Sequence, residues 1–160
     1  MRVFLKIAVG VAAVAGLTTA ASATTANANL GVSASVAATC AITTSAVAFG
    51  AYSGTQIDAT GTVTANCVIG TPWTIGLGTG TGVGATVTTR KMTSGANVLG
   101  YALFSDAGHS QNWGTTIGTD TLAGTGTGGT DGHTVYGRIP TGSVPAAGSY
   151  ADTVVATITF

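Results

Sequence analysis

The stretch ANANLGVSASVAATCAI, residues 26–42, alternates apolar residues with small or polar ones along its whole length. Successive side chains of a strand point to opposite faces, so this alternation predicts an extended segment with one buried face. The stretch is longer than the usual strand of about 5–6 residues. Its first part therefore has the pattern of a strand that precedes the domain, and its apolar face carries Leu30, Val32, Ala34 and Val36.

The first 23 residues have the three parts of a secretory signal peptide. Arg2 and Lys6 give a positive start, residues 7–17 are an apolar run too short to span a bilayer, and ASA at 21–23 is a small-residue cleavage site. We expect residues 1–23 to be removed and the rest of the chain to be exported.

The chain has two cysteines, Cys40 and Cys67, each on the apolar face of an alternating segment. In an oxidising compartment, one even pair most simply forms a disulfide. The alternative, two thiolate metal ligands, lacks a second cysteine pair or nearby histidines. We predict a Cys40–Cys67 disulfide that joins the first two strands of the domain.

The composition favours strands and excludes some partners. Charged residues make up 6% of the chain, and after loss of the signal peptide Arg90, Lys91 and Arg138 stand against five aspartates. This slightly acidic balance, without a basic cluster, excludes nucleic acid as a partner. Glycine is poor in helices, threonine and valine are good in strands, and no window has an amphipathic helical period. We expect one all-β domain.

Alternating segments separated by glycine-rich stretches predict a series of short strands. The predicted strands are residues 47–52, 61–68, 73–77, 98–105, 134–139 and 150–160. The predicted connections are a turn at 43–45, glycine-rich loops at 78–84 and 124–132, a loop at 106–118 and a turn region at 140–148. In the strand at 61–68, Val63, Ala65 and Cys67 lie on one face. In the strand at 98–105, Leu99, Tyr101 and Leu103 lie on one face. Many short strands without a helix indicate an antiparallel sandwich or barrel.

The last predicted strand has Val154, Ala156, Ile158 and Phe160 on one side. The sequence stops there, whereas an immunoglobulin-like sandwich normally has about seven strands. We therefore expect an open apolar groove beside this strand. The alternating N-terminal segment of a neighbouring copy has the pattern to fill it.

Three features could carry chemistry, and each has a simpler interpretation. GTGTGG at 124–129 matches G-x-G-x-x-G, but a dinucleotide site needs a helix after the turn and a strand is predicted here. His109 and His133 could be drawn into a hydrolytic triad or a metal site with nearby aspartates. We interpret both as loop histidines among hydroxyl-rich neighbours.

Arg138 lies on a predicted strand, and we expect it to pair with Asp106 or Asp152. We predict no enzyme, no catalytic, cofactor-binding or metal-binding residue, and no small-molecule substrate. A hydrolase would require His109 or His133 to converge with a hydroxyl group in a pocket.

A set of motifs in a fixed order resembles the spore coat protein U domain family, which includes subunits of the Csu-type, or archaic, chaperone–usher pili. The motifs are Cys40 after an alternating strand, FGAY at 49–52, Cys67, Arg90 with Met92, LGYALFSD at 99–106, WG at 113–114, VYGRIP at 135–140 and GSYADTV at 148–154. They extend over nearly the whole chain after the signal peptide.

The resemblance implies an incomplete immunoglobulin-like β-sandwich, held by a periplasmic chaperone and passed to an outer-membrane usher. A donor strand from a neighbouring subunit would then complete each sandwich in a surface fibre, or fimbrium, for adhesion and biofilm formation. The implied organisation is a signal peptide at 1–23, a donor-strand extension at 24–38 and a pilin domain at 39–160. The alternative is a secreted coat or matrix protein of the same fold that acts without a chaperone–usher system.

Overall fold

The computed structural model describes residues 21–160, and most of the predicted signal peptide, residues 1–23, lies outside them. The chain divides into two units between Ser35 and Val36. In the first unit, the described residues 21–35 form no helix or strand and are exposed. No helix within residues 21–160 has the length and apolar character needed to cross a membrane.

The second unit is an antiparallel sandwich of two sheets. Its strands are β1 (Cys40–Ser45), β2 (Ile57–Cys67), β3 (Pro72–Leu77), β4 (Arg90–Ser94), β5 (Asn97–Phe104), β6 (Leu122–Thr125), β7 (Thr130–Ile139) and β8 (Ala156–Thr159). The larger sheet has the order β1-β2-β7-β5-β4, and the smaller sheet has the order β6-β3-β8. Among the described strands, β1, β4, β6 and β8 are therefore edge strands, each with one side unpaired in its sheet.

The long pair β2 and β7 forms the centre of the larger sheet, with Ile57 opposite Ile139 and Asn66 opposite Thr130. Side chains alternate between the two faces, as the sequence predicted. The inner face of the larger sheet packs on Trp73, Ile75 and Leu77 of β3, and this forms the core of the unit. The predicted faces of β2 and β5 are confirmed; the buried residues on them are Val63, Ala65, Cys67, Tyr101 and Leu103.

The predicted disulfide is confirmed. Cys40 and Cys67 are bonded, and they are opposite each other in the register of β1 and β2. The bond therefore joins the first residue of one strand to the last residue of its partner. Residues 43–45, predicted as a turn, instead continue β1, because Thr43, Thr44 and Ser45 pair with β2.

Residues 47–52 form no strand, although their alternation predicted one. Two glycines explain how this segment lies against the sheet instead. A Cβ atom on Gly137 would lie 2.7 Å from Val47 Cγ1 and from Phe49 Cζ, and one on Gly61 would lie 2.8 Å from Val47 Cγ2. The side chains of Val47 and Phe49 occupy the space that these glycines leave open, so the segment crosses the sheet face without pairing.

Three other boundaries differ from the sequence prediction. Arg90 and the residues after it form strand β4, because they pair with β5 in a tight hairpin. The glycine-rich segment 124–132 is mostly strand, since β6 and β7 leave only residues 126–129 as a loop. The final strand is confined to Ala156–Thr159, and Ala151 forms an isolated bridge with Thr93 instead.

Candidate functional site

An open groove lies on the inner face of the larger sheet, beside the edge strand β8. It consists of two adjoining cavities of about 700 and 510 Å³. Its floor is formed by inner-face residues, which are Val63, Met92, Leu99, Tyr101, Leu103, Val135 and Ile139. Its walls are residues 44–52 on one side and residues 144–154 with Ala156 on the other. At its end nearest the smaller sheet, the groove reaches Ala156, the first residue of β8.

The carboxylate of Asp152 fixes the second wall of the groove. It accepts hydrogen bonds from the Tyr101 hydroxyl at 2.8 Å, from the Thr81 amide and hydroxyl at 2.7 Å each, and from the Thr153 amide at 2.7 Å. Gly80 has a φ of 85°, and a Cβ atom there would overlap the Asp152 carboxylate. Asp152 therefore links β5, the glycine-rich loop after β3 and the segment before β8.

These contacts change the pKa values of Asp152 and Tyr101. Burial acts to raise the pKa of Asp152, but the hydrogen bonds from Thr81, Tyr101 and Thr153 outweigh it and hold this pKa below its ordinary value. The pKa of Tyr101 is raised, first by burial and then by its bond to Asp152. The pair is therefore an ionised carboxylate and a neutral phenol over the middle of the pH range.

Arg90 closes the sandwich beyond the groove. Its fully buried guanidinium donates to four backbone carbonyls: Nε to Gly78 at 2.8 Å, Nη1 to Val87 at 2.8 Å, and Nη2 to Leu77 at 2.8 Å and Trp113 at 2.6 Å. Burial lowers the pKa of this group. We call Arg90 with these four carbonyls the arginine clamp. In the sequence, Arg90 was notable only as one of the few positive residues and as part of a family motif with Met92.

The residues predicted as a donor strand are exposed. Leu30 and Val32 are 88% and 87% exposed, and Ala34 and Val36 are also exposed. At the other end of the chain, Val154, Ala156 and Ile158 share one face and are half-buried against the core, whereas Phe160 is 55% exposed. Of these residues, Val154 and Ala156 line the groove, whereas Ile158 lies opposite Ile75 of β3 and does not line it.

The predicted partners of Arg138 were wrong. Arg138 donates to both carboxylate oxygens of Asp58, at 2.7 and 2.8 Å, because the two residues are opposite each other in β2 and β7. This hydrogen-bonded ion pair is the main reason why the pKa of Asp58 is lowered and the pKa of Arg138 is raised. Asp106 instead accepts hydrogen bonds from the Ser110 and Gln111 amides of its own loop.

The two histidines are packed more closely than the sequence predicted. The His109 side chain is only 9% exposed, lies edge-on to Phe104 and Tyr136, and is 3.0 Å from Arg138 through Nδ1. His133 lies on β7 rather than in a loop, and its ring packs on Trp73. The Ser110 hydroxyl donates to Asp106, so it does not form a nucleophile–base pair with His109.

The glycine-rich motif at 124–129 connects two strands, so it does not lead into a helix. Its glycines have packing roles: a Cβ atom on Gly124 would overlap the Trp73 ring, and one on Gly126 would overlap the Val68 carbonyl. Within residues 21–160, no group of three His, Cys, Asp or Glu side chains could hold a metal ion.

The described strands and the groove define the class of protein as an all-β, immunoglobulin-like antiparallel sandwich with one open groove. The Spore Coat Protein U domain family matches residues 26–157. The chain is also 37% identical to Protein U of Myxococcus xanthus over 174 aligned positions, which cover 92% of this chain and 97% of that protein. The chain belongs to the spore coat protein U domain family.

A solved structure has a similar fold. It is the CsuC–CsuE chaperone–tip adhesion subunit pre-assembly complex from the archaic chaperone–usher Csu pili of Acinetobacter baumannii, which aligns with a TM-score of 0.60 and 21% identity. The alignment covers 78% of this chain and 40% of the matched chain. At this identity the likeness shows the fold, and this chain spans less than half the length of that neighbour.

Proposed function

We propose that this protein is a structural pilin subunit that polymerises by donor-strand complementation into a chaperone–usher surface fibre for adhesion and biofilm formation. The observation that carries the proposal is the open apolar groove beside β8. An unpaired strand edge next to buried apolar residues is a liability unless another strand covers it. Strand addition would satisfy the backbone groups of that edge and fill the groove in one step.

The alternating N-terminal segment supports the proposal because it supplies a strand of the required pattern. Leu30, Val32, Ala34 and Val36 would point into the groove of the next subunit, beside Val154, Ala156 and Ile158. A slip of one residue would instead direct Gly31, Ser33 and Ser35 inward, so the register is set by the pattern.

The proposed partners are neighbouring subunits, a periplasmic chaperone and an outer-membrane usher. An unfilled groove needs temporary cover before assembly, and the similar solved structure is a complex of a chaperone with a pilus subunit. The proposed route is export through the periplasm, followed by assembly at the cell surface.

The test compares two single substitutions in the donor segment. Val32→Asp should block linkage between subunits, because an unpaired buried carboxylate costs several kcal/mol. Ser33→Asp, on the opposite face, should be tolerated far better. Each variant is co-expressed with the chaperone and usher of the same genome, and heat-labile multimers and surface fibres are scored.

Chaperone binding provides the internal control, because it would use the variant's own groove rather than its donor segment. Both variants should therefore co-purify with the chaperone at wild-type levels. Equal polymerisation of Val32→Asp and Ser33→Asp would show that the donor assignment is wrong.

A second candidate function is a secreted coat or matrix protein of the same fold that acts without a chaperone–usher system. The observation that favours it is the identity to Protein U over nearly the full length of both chains. Expression in a host without a chaperone and usher separates the two functions. Stable, secreted protein in that host would favour the coat protein, and degraded or aggregated protein would favour the pilin.

A further inference from the structure

An apolar side chain projects into solvent from the turn between β2 and β3. Ile69 is 75% exposed and lines neither cavity of the groove. The turn is held by its backbone: the Thr71 amide donates to Val68 O at 3.1 Å, and the Gly70 amide donates to Gly126 O at 2.9 Å. A single exposed apolar residue is ordinary, so its position decides what it can contact.

The turn lies directly beside the end of the donor segment. The Val68 amide donates to Thr39 O at 3.0 Å, and Cys40 then begins β1. Val36, the last of the four apolar donor residues, is four residues before Cys40. An extended chain spans at most about 3.3–3.6 Å per residue, so Val36 and Cys40 lie no more than about 14 Å apart. A subunit that receives Val36 in its groove must therefore lie close to this turn.

The direction of the donor strand decides which end of the neighbour's groove faces the turn. Every pair of described strands is antiparallel, and antiparallel pairing is slightly more stable per residue than parallel pairing. One groove wall leads into strand β8, whereas residues 46–52 of the other wall form no strand. A donor that is antiparallel to the wall of β8 has Leu30 towards Ala156. Its Val36 then lies where that wall begins, at residues 144–149.

An exposed apolar side chain also lies at that end of the groove. Val144 is 59% exposed and lines the larger cavity. The residues that follow it, at 145–147, are Pro, Ala and Ala, and no residue from 140 to 151 is charged. The β2–β3 turn at 68–71 has no charged residue either. The two surfaces can therefore bury apolar area against each other without desolvating a charge.

We propose that Ile69 of each subunit packs against Val144 of the subunit that receives its donor strand. This contact between two copies of the chain rests on the proposed function and adds to it. The donor strand would link the copies, and the contact of Ile69 with Val144 would fix the angle between them. The exposed linker residues 37–39 would not fix this angle by themselves.

Photo-cross-linking tests the contact in assembled protein. A benzophenone amino acid replaces Ile69 in the full chain, which is co-expressed with the chaperone and usher of the same genome. Irradiated multimers should contain covalently joined subunits, with the cross-link mapped by mass spectrometry to residues 140–151.

The matched control carries the same amino acid in place of Ile117, which is 62% exposed. Ile117 belongs to the loop beside Leu77, which lines the opposite part of the groove: the Leu77 amide donates to Gly114 O at 2.8 Å. The control should give no cross-link to residues 140–151. A cross-link from position 69 to the loop of Ile117 would show the opposite strand direction and overturn the proposal.

The outcomes separate this contact from donor-strand assembly. If heat-labile multimers form without a cross-link from position 69 to residues 140–151, the contact is wrong and the proposed function stands. If the wild-type chain forms no multimers, both are wrong.

A second variant tests the contact without a cross-linker. Ile69→Asp should keep the wild-type Tm because the side chain is exposed. It should still form heat-labile multimers because the donor segment and the groove are unchanged. Electron microscopy should then show a broader distribution of angles between successive subunits than wild type or Ile117→Asp has. Equal distributions in Ile69→Asp and wild type overturn the proposal.

Discussion

The inner face of the larger sheet has two halves, and they are completed differently. In one half, β3 and the arginine clamp cover the sheet, and the Trp113 indole donates to Ile75 O at 2.8 Å within the core. In the other half, similar apolar side chains of the same strands form the floor of the groove. The alternation in β2, β5 and β7 is continuous through both halves. The strand pattern therefore sets which face is buried. Along the groove the deeper floor residues Val63 and Leu103 are also buried, and only Met92 and Leu99 are left half-buried.

The covered half must supply the stability that keeps the groove open. The walls of the groove are half-buried or exposed, so they contribute less to the hydrophobic free energy than the core around Trp73 and Ile75 does. This division gives ordered predictions: the largest losses of stability should come from the covered half, and smaller ones from the groove walls.

The largest effect should come from Arg90→Met. The substitution leaves the four carbonyls of the clamp without this donor, so at about 1 kcal/mol or more for each we expect a loss of about 4 kcal/mol or more in the free energy of unfolding. Urea denaturation measures it. Arg138→Met is the matched control, because Arg138 pairs with Asp58 at the surface and should cost less than about 1 kcal/mol. Equal losses in the two variants would show that the arginine clamp stabilises the fold no more than the surface ion pair of Arg138 does.

The next effect should come from the disulfide that joins the edge strand β1 to β2. Cys40→Ser with Cys67→Ser should cost about 3.5 kcal/mol for a loop of this length on the chain-entropy model, given the 27-residue separation. Hydrogen exchange should rise most in β1, because the bond holds this edge strand to β2. An equal rise of hydrogen exchange in β1 and in β3 would contradict the proposal that the covered half of the sheet is the more stable one. Intact mass before and after alkylation verifies the bond in the native protein.

The smallest effect should be a pH-dependent one at Asp152. Its pKa is lower in the folded state than the ordinary 3.8, so it contributes stability above that value, and the contribution is lost as the pH falls through the folded pKa. Asp152→Asn should cost about 1–2 kcal/mol near neutral pH, after allowance for screening of a partly exposed group. The loss should shrink in acid.

The contribution of Asp152 is isolated by comparing the free energies of unfolding of wild type and Asp152→Asn across the pH range. Asp58 and Asp106 also have lowered pKa values, so the wild-type acid response alone does not identify Asp152. Tyr101→Phe, which removes one donor to Asp152, should reduce the pH dependence only in part. A difference between wild type and Asp152→Asn that is constant from neutral pH to acid would refute the role of the charge.

Much of this fold could be predicted because period-two alternation reports burial directly. It located the inner faces of β2 and β5 and placed Cys40 and Cys67 on apolar faces. The disulfide between them was predicted from one even pair of cysteines in an exported chain. The predictions failed where a contact distant in sequence decides the structure. Residues 47–52 alternate like a strand, but Gly61 and Gly137 let them cross the sheet without pairing.

The electrostatic contacts were harder to predict than the strands. Asp58 was not considered as a partner for Arg138, because their proximity depends on the register of β2 against β7. The role of Arg90 depends on carbonyls from three separate segments. None of these contacts produces a recognisable pattern in the local sequence. The groove, in contrast, was expected from the number and order of the predicted strands.

The position of the disulfide determines how this domain responds to a pulling force. Cys40 is the first residue of β1, and it is opposite Cys67 at the end of the β1–β2 ladder. Tension applied to the residues before Cys40 would otherwise separate this edge strand one hydrogen bond at a time, starting from that end. The covalent bond passes the load directly into β2 at the centre of the larger sheet. Strand β1 therefore cannot be separated from β2 starting at that end while the disulfide is intact.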